Sequence, residues 1–295
     1  MINHCTSEYV ELVRLRYYQH KINEMLKAGQ FKQIPIHLAF GHEAAALGMD
    51  LTMQENDVLC LSHRNVAYNL ARSKSLISIL NSYMMDHKPG EIPSMASMNL
   101  ASQSLSIPYT SSILGNNLAV AAGIAMNRNI SKRPGIIFVV TGDGGIEEGI
   151  FWETMIFARS NNLGLVIVIG NDNCSMSSTI EERRCQINLS LICDGLGVGY
   201  RELDGASLAA VKSGLNWARE LASNGNTAIV EMHLETFCQH AGPTPGWPTD
   251  PLRISLEDGL ILGDSLRDPL VQLRLNIGAD IYEALEKTVI EAPIQ

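Results

Sequence analysis

The stretch VVTGDGGIEEG, residues 139–149, decides the fold that we predict for this chain. A run of β-branched residues ends in one carboxylate, Asp143, which is framed by Gly142, Gly144 and Gly145. An apolar run of this kind that is closed by glycine is typical of a buried strand followed by a turn. We therefore predict that a strand ends at this carboxylate and that the backbone after it is open to close approach.

A second apolar run, VIVIGNDNCS at 166–175, ends in the triplet Asn-Asp-Asn at 171–173. The two runs predict strands at 136–141 and 165–170, with a helix at about 147–160 between them. A strand–helix–strand unit of this kind places its two strands parallel to each other. The sequence thus predicts an α/β fold.

Composition and charge exclude several classes of protein. The chain has 295 residues, of which 46% are hydrophobic and 18% charged, as expected for a globular protein with an ample core. Its net charge of −9 gives no basic surface for nucleic acid or an anionic membrane. The six cysteines form no CxxC pair and no apolar run is long enough to cross a bilayer. We expect a cytoplasmic protein with reduced thiols.

The remaining pattern favours one domain over residues 1–295. The predicted domain begins with a helix at 7–28, for which Ser7 is the expected N-cap and Gly29 the expected end. It ends in a helical arm over 260–295. Four further elements and two loops are predicted: a helix of small residues after His42, short strands within 57–65 and 226–234, a helix at 268–289, and irregular segments at 86–112 and 240–251.

The two strand ends predict a site for a divalent cation. Ligands gather at the carboxyl ends of parallel strands, where Asp143 and the 171–173 triplet would lie together. Carboxylate and amide oxygens suit Mg²⁺ or Ca²⁺ rather than zinc, and Mg²⁺ commonly keeps phosphate oxygens among its ligands. Backbone N–H groups of the glycines and the following helix N-terminus would bind a phosphate. The alternative is a simple strand-to-helix turn in which Asp143 caps the helix.

The spacing of Gly-Asp-Gly from the Asn-rich strand end, about thirty residues, resembles the motif of thiamine-diphosphate enzymes. Four other stretches are similar to the α subunit of 2-oxoacid dehydrogenases of the pyruvate, branched-chain and acetoin type: HLAFGHEAAALG, LSHR, SSILGNNLAVAAGIAM and RDPLVQLR. The resemblance covers roughly residues 20–280. It implies the thiamine-diphosphate-binding fold, a mostly parallel sheet with helices on both faces, as a single diphosphate-binding domain with thiamine diphosphate and Mg²⁺ as cofactors.

The resemblance also implies which residues hold the cation. Asp143 and Asn173 would bind Mg²⁺ through their side chains, and Ser175 through its carbonyl. An ungapped alignment puts Asp172 in place of Asn173. We prefer Asn173 because an Asp-Asn ending also resembles transketolase and deoxyxylulose-phosphate synthase.

The cofactor-binding residues that the resemblance implies come from four parts of the chain. Arg64 would pair a phosphate with its guanidinium, and Gly144 and Gly145 would donate backbone N–H groups. Ser112 and Leu114 would lie beside the aminopyrimidine. The full set is His63, Arg64, Ser112, Leu114, Gly142, Asp143, Gly144, Gly145, Asn173 and Met176.

Three histidines are the implied catalytic residues. His37 lies where the family has an active-site histidine, His63 replaces a tyrosine, and His240 lies near the position of a loop histidine. Histidine suits the proton transfers that this chemistry requires. The alternative for each is an ordinary surface or half-buried histidine, and His42, in place of a glutamine, is interpreted as structural.

The family takes its catalytic glutamate from a β subunit, which supplies the pyrimidine domain. Glu43 and Glu153 lie inside predicted helices, and 295 residues leave little room for a second domain. We therefore expect a β-like partner in an α₂β₂ assembly.

Three functions follow from these observations. The first is a two-chain enzyme that decarboxylates a 2-oxoacid and transfers the acyl unit, with a lipoyl acyltransferase as a possible partner. The second is a transketolase-like or acyloin-forming carboligase with an aldehyde acceptor. The third is a non-catalytic scaffold subunit. The loops 86–112 and 240–251 would select the oxoacid.

Overall fold

A parallel sheet of six strands forms the centre of the structure, a computed structural model that describes residues 2–31, 35–83, 96–244 and 246–294, with side chains from residue 7 onward. The strands are β1 (Val58–Ser62), β2 (Tyr109–Ser111), β3 (Ile137–Gly142), β4 (Leu165–Asn171), β5 (Gly199–Asp204) and β6 (Ala228–His233). The helices are α1 (Ile2–Lys27), α2 (Glu43–Thr52), α3 (Val66–Ser73), α4 (Leu76–Tyr83), α5 (Asn116–Ser131), α6 (Gly149–Ser160), α7 (Ile180–Arg183), α8 (Leu189–Leu196), α9 (Leu208–Ser223), α10 (Pro269–Ile277) and α11 (Ala279–Glu291).

The strand order is β2-β1-β3-β4-β6-β5, and every pair is parallel. β3 and β4 are direct neighbours, with Gly142 opposite Gly170. The predicted strand–helix–strand unit is therefore confirmed, and its two polar strand ends lie side by side. Because β2 and β3 lie on opposite sides of β1, the chain reverses direction across the sheet at β1, which is where ligands bind in open α/β sheets.

Helices cover both faces of the sheet, as predicted. Phe138 and Val140 of β3 belong to the core cluster shared with α1, α2, α3 and α9, whereas Ile137 and Val139 belong to the cluster shared with α5, α6 and α8. Strands buried on both faces read as continuous apolar runs, which is why β3 and β4 were predictable from the sequence. Each fully buried side chain of this size contributes about 1.5–3 kcal/mol to folding.

Small residues allow α2 to pack closely against α9. A Cβ atom on Gly48 would lie 2.4 Å from Cγ1 of Val211, so a larger residue at this position would force the two helices apart. The helix of small residues predicted after His42 is therefore confirmed.

The first helix ends as predicted but begins earlier. Gly29 has φ +67° and donates to the carbonyl of Leu26, while Gln30 donates to Met25, so the helix ends in a Schellman motif. The predicted N-cap at Ser7 is wrong, because α1 begins at Ile2 and Ser7 lies inside it. Serine lowers the stability of a helix only slightly at interior positions, so its presence does not show where a helix begins.

Other element predictions are corrected at particular residues. The helix predicted at 268–289 is divided into α10 and α11 by Gly278, which has φ +89°. The irregular segment predicted at 86–112 contains the edge strand β2; its residues 86–95 lie outside the described residues. β5, α8 and α9 were not predicted. Between 240 and 251 the described residues form neither helix nor strand, as expected.

None of the helices that the structure describes combines the length and apolar character needed to cross a bilayer. The five cysteines whose side chains are described are all free.

Candidate active site

A cavity lies at the carboxyl ends of β1, β3 and β4 and encloses about 740 Å³ of space that is partly open to solvent. Its walls come from six separate parts of the chain, which only the folded sheet brings together. The predicted site residues that line it are His63, Arg64, Leu114, Gly142, Asp143, Gly144, Ser175, Met176 and His240.

Asp143 presents a buried oxygen that lacks a hydrogen-bond donor. Its Oδ1 accepts the backbone N–H of Gly144 at 2.7 Å, whereas its Oδ2 has no hydrogen-bond partner among the described residues. The guanidinium of Arg183 lies 3.2 Å from Oδ2 as an ion pair. Burial, and secondarily the charge of Asp172, raises the pKa of this carboxyl group. The Arg183 guanidinium compensates this buried carboxylate in part, and a metal cation in the cavity would complete its surroundings.

The structure places Asp172, and not Asn173, at the cavity wall. Asp172 lines the cavity, whereas Asn173 is exposed and outside it. The Oδ1 of Asn173 instead accepts the backbone N–H of Ile180 at 3.0 Å, at the start of α7. Asn173 also has φ +55°, a conformation that asparagine tolerates better than most residues. The carboxylate at the cavity wall is therefore at the position that the ungapped alignment indicated.

The glycines after β3 permit close packing of the backbone around Asp143. A Cβ on Gly144 would lie 2.6 Å from Oγ of Ser175, and a Cβ on Gly145 would lie 2.1 Å from Oγ1 of Thr141. Gly144 lines the cavity, while Gly145 is buried behind it. Together with two neighbouring carboxylates, this backbone surface fits a divalent cation that carries a diphosphate.

His37, His63 and His240, here called the histidine cluster, lie together at one side of the cavity. Their ring centroids are 4.5 Å apart for His37 and His63, 5.0 Å for His37 and His240, and 5.2 Å for His63 and His240. His63 and His240 line the cavity; His37 is buried behind them and does not. The structure therefore brings together three histidines that the sequence predicted separately.

Burial keeps the histidine cluster uncharged. It lowers the pKa of His37 to about 2, of His63 to about 3 and of His240 to about 4, and the positive charge of Arg64 acts in the same direction on all three. At neutral pH these rings are neutral imidazoles, which offer lone pairs and N–H groups rather than positive charge.

Arg64 is the cation on the cavity wall. Its Nη1 donates to the carbonyl of Leu38 at 2.5 Å, and its Nη2 lies 3.4 Å from Nδ1 of His240. Leu114 and Met176 form an exposed apolar rim, with 45% and 55% of their surfaces accessible. Ser112 is exposed and does not line the cavity.

A relay of hydrogen bonds behind Asp172 was not predicted. The hydroxyl of Thr236 donates to Oδ2 of Asp172, and Nε2 of His42 lies 2.7 Å from the same hydroxyl. Burial lowers the pKa of His42, so the ring is a neutral donor. The only signal in the sequence was the buried small-residue segment around His42, which we interpreted as structural.

Neither candidate glutamate reaches the cavity. Glu43 is buried in an ion network with Arg16 and Asp268, and Glu153 is exposed on α6. Among the described residues, the carboxylates that line the cavity are Asp143 and Asp172. The described chain thus offers no third carboxylate at this wall for proton transfer.

Comparison with known proteins identifies the type of protein to which this site belongs. The family model described as "Dehydrogenase E1 component" matches residues 12–241. The pyruvate dehydrogenase E1 component subunit alpha of Mycoplasma genitalium is 25% identical over 99% of this chain and 84% of its own length. The corresponding subunit of Bacillus cereus is 24% identical over 85% of this chain and 65% of its own length.

The fold is similar to that of transketolases. A transketolase variant from Pichia stipitis superimposes with a TM-score of 0.59 at 14% identity, over 97% of this chain. The transketolase of Leishmania mexicana gives a TM-score of 0.60 at 14% identity, also over 97% of this chain. This chain spans 45% and 46% of those two proteins, so the likeness concerns the fold of less than half of each.

Proposed function

Because this chain belongs to the dehydrogenase E1 component family, we propose that it is the α-like subunit of a thiamine-diphosphate- and Mg²⁺-dependent enzyme that decarboxylates a 2-oxoacid. The observation that carries the proposal is the buried carboxylate of Asp143, whose Oδ2 has the Arg183 ion pair but no hydrogen-bond partner among the described residues, beside a second cavity carboxylate, Asp172. The negative charge of Asp172 raises the pKa of Asp143, so a divalent cation shared by the two carboxylates would relieve their repulsion, and Mg²⁺ prefers such oxygen ligands and commonly binds phosphate as well.

Three groups would hold the cation. Asp143 and Asp172 would bind it through their carboxylates, and the main-chain carbonyl of Ser175 or of its neighbour Cys174 would complete the protein's share, since both residues line the cavity. Mg²⁺ commonly leaves its remaining positions to water and phosphate oxygens.

The diphosphate of the cofactor would bind along the glycine backbone. Gly144 and Gly145 would donate N–H groups, and Arg64 would supply the charged fork. Leu114 and Met176 form the exposed rim, where the organic rings would contact apolar surface, and Ser112 is a near neighbour of Leu114 in the chain. Bound thiamine diphosphate supplies the electron sink that allows a 2-oxoacid to lose carbon dioxide.

The histidine cluster would handle protons at the substrate. His63 and His240 line the cavity as neutral imidazoles and can donate a hydrogen bond to a substrate oxygen or accept a proton from it. His37 would orient them from behind, where Oγ of Ser97 lies 3.1 Å from its Nδ1.

A β-like subunit completes this proposal. Asp143 and Asp172 would be committed to the cation, and no other carboxylate of the described residues lines the cavity, so a partner chain would supply the glutamate that moves protons at the cofactor. We place this partner in an α₂β₂ assembly whose pyrimidine domain closes the open side of the cavity. A cytoplasmic location and transfer of the acyl unit to a lipoyl acyltransferase belong to the same proposal.

A carboligase is the second candidate. The three neutral imidazoles beside the cavity offer more hydrogen-bonding groups than a short oxoacid requires, which favours a hydroxylated aldehyde acceptor. In that case the acyl unit would pass to the aldehyde rather than to a lipoyl group.

Reconstitution with the β-like partner tests these proposals. A panel of 2-oxoacids is offered with and without aldehydes, while carbon dioxide and condensation products are followed. Calorimetry measures thiamine diphosphate binding in the presence of Mg²⁺. Wild-type chain should bind, Asp143→Asn should not, and the exposed control Asp264→Asn should bind like wild type. Equal binding by Asp143→Asn, or none by the wild type, would favour a scaffold subunit.

A further inference from the structure

The histidine cluster is assembled from three distant segments. His37 precedes α2, His63 directly follows β1, and His240 lies in the segment after β6. One nitrogen of each ring can be chosen so that all three nitrogens lie within 4.8 Å of one another. Three imidazole nitrogens this close together can share one ligand.

The ring separations match those of a tetrahedral metal centre. A zinc–nitrogen bond of about 2.0–2.1 Å and tetrahedral angles place the centres of two ligating rings roughly 5 Å apart. The three observed centroid distances are 4.5, 5.0 and 5.2 Å. The ring centres thus already have the spacing of such a centre, and rotation of the side chains would bring one nitrogen of each ring, now within 4.8 Å of one another, to a shared ion.

Neighbouring residues fix the rings. Oγ of Ser97 lies 3.1 Å from Nδ1 of His37 and accepts the backbone N–H of the same histidine at 3.0 Å, which leaves Nε2 of His37 as its available ligand atom. The Nδ2 of Asn65 donates to the carbonyls of Ser62 and Ser97 at 2.6 and 2.7 Å, so it ties the end of β1 to this segment. Hydrogen bonds of this outer kind orient histidine ligands in metal sites.

The third ring is held by stacking. The rings of His240 and Trp247 are nearly parallel, with centroids 5.7 Å apart and an interplanar angle of 28°. All three imidazoles are neutral at pH 7, which is the form that binds metals.

We propose that His37, His63 and His240 form a site for one Zn²⁺ ion, or a divalent transition metal of similar preference, separate from the cation site at Asp143 and Asp172. Three neutral nitrogen ligands and an open fourth position are the ligand set of zinc sites that bind water or a small molecule. Mg²⁺, which prefers oxygen, would not compete for these ligands.

The positive charge of Arg64 weakens metal binding by the histidine cluster. Its Nη2 lies 3.4 Å from Nδ1 of His240, and its charge repels a second cation. The negative charge of Asp172 has the opposite effect, since it acts to raise the pKa of His240. The site should therefore bind zinc less tightly than one without an arginine, and Arg64→Gln should tighten the binding.

The site has a consequence for activity that rests on the proposed function. A metal held by all three rings leaves none free for proton transfer, so zinc should inhibit the reconstituted enzyme and a chelator should restore it. Binding itself is tested without cofactor, substrate or partner, so it stands or fails independently of the 2-oxoacid activity.

Titration of the metal-free full-length chain with Zn²⁺ alone tests the proposal, and Co²⁺ serves as a spectroscopic probe of geometry. We expect one tight equivalent and visible absorption of a tetrahedral Co²⁺ centre. His63→Tyr should weaken binding at least about tenfold, and Ser97→Ala by about tenfold, since outer partners change metal affinity by roughly 10–100-fold.

Two further variants make the test specific. Asp143→Asn should leave zinc binding unchanged, and so should His233→Gln, a partly exposed histidine beside Glu202. Circular dichroism confirms that each variant is folded. Absence of a zinc equivalent, or unchanged zinc affinity in folded His63→Tyr, overturns the proposal. Loss of zinc binding in Asp143→Asn would place the ion at the carboxylates instead and overturn it as well.

Discussion

The hydroxyl of Thr236 donates a hydrogen bond to Oδ2 of Asp172, and this bond fixes the orientation of the Asp172 carboxylate in the cavity. A carboxylate only accepts, so the hydroxyl must in turn accept from His42, whose Nε2 lies 2.7 Å away. The relay therefore sets the tautomer of His42 as well as the orientation of Asp172. It begins on the segment that leads into α2 and ends at the proposed cation.

Removal of the Thr236 hydroxyl should weaken Mg²⁺-dependent binding of thiamine diphosphate. Thr236→Val keeps the shape of the side chain but leaves Asp172 free to rotate, so we expect a loss of about 10–100-fold in metal affinity. Thr236→Ser retains the hydroxyl and should bind like wild type. Calorimetry on both variants with the β-like partner makes the comparison; equal loss in the two would indicate a steric role for Thr236.

Substitution of neighbouring residues decides which side chain after β4 holds the cation. Asp172→Ala should abolish Mg²⁺-dependent cofactor binding, because it removes one of two charged ligands. Asn173→Ala removes only the bond to Ile180 and should keep the affinity within about threefold, while the positive φ costs about 1–2 kcal/mol of stability. The reverse pattern of affinities would return the ligand role to Asn173.

Gly144 should not tolerate a side chain. Its substitution by alanine places Cβ 2.6 Å from Oγ of Ser175, so either the cation loop or the Ser175 segment must move. We expect a loss of at least about tenfold in cofactor affinity. Gly149, at the start of α6, has open space around its Cβ position and provides the matched control. A Gly144→Ala variant that binds as tightly as Gly149→Ala would contradict the assigned packing.

Glu43 should act on stability and not on chemistry. It shares Arg16 with Asp268 in a fully buried network and also accepts from Gln19 and the backbone of Gly41. Glu43→Ala leaves the Arg16 charge partly uncompensated, and we expect a loss of about 3–5 kcal/mol in urea unfolding.

Glu24, an exposed partner of Lys21, is the control for Glu43. Its replacement by alanine should cost less than about 1 kcal/mol. Similar losses in the two variants would show that the buried network contributes no more than a surface ion pair.

The histidine cluster should make folding sensitive to acid. The pKa values of about 2, 3 and 4 for His37, His63 and His240 lie below the value of about 6.5 expected in the unfolded chain. The unfolded state therefore binds more protons, and stability falls as pH drops below about 6.5. Each histidine contributes at most about 2 kcal/mol to the loss between pH 7 and pH 5.

Urea unfolding at several pH values measures this dependence. His63→Gln should make the decline between pH 7 and pH 5 shallower than in the wild type. An identical slope in wild type and His63→Gln would mean that His63 is protonated equally in the folded and unfolded chains.

The sequence predicted the parts of the site that local pattern controls. β3 and β4 are buried on both faces, so their apolar runs were visible, and Asp143 stands out because glycines surround it. β2 was missed because its three residues are a strand only through pairing with β1. Whether Asp172 or Asn173 faces the cavity could not be read from the sequence, because both follow β4 and only the folded chain fixes the direction of each side chain.

The site histidines show the same limit. Each of His37, His63 and His240 was identified singly, but their contact depends on the packing of three segments that are far apart in the chain. Thr236 had no signal of its own, since a single threonine after a strand is ordinary. Tertiary contacts, which a linear pattern does not contain, determined both outcomes.

Gly142 and Gly170 are paired at the ends of β3 and β4, so the positions of the residues that follow β4 depend on the number of residues in that strand. A single-residue deletion within β4 would slide Asn173 into the place of Asp172, and an insertion would bring Asn171 there, although no cavity residue had been replaced. Natural variation in the length of this strand would therefore alter the charge presented to a metal ion by whole units, a change that a comparison of residue identities alone would overlook.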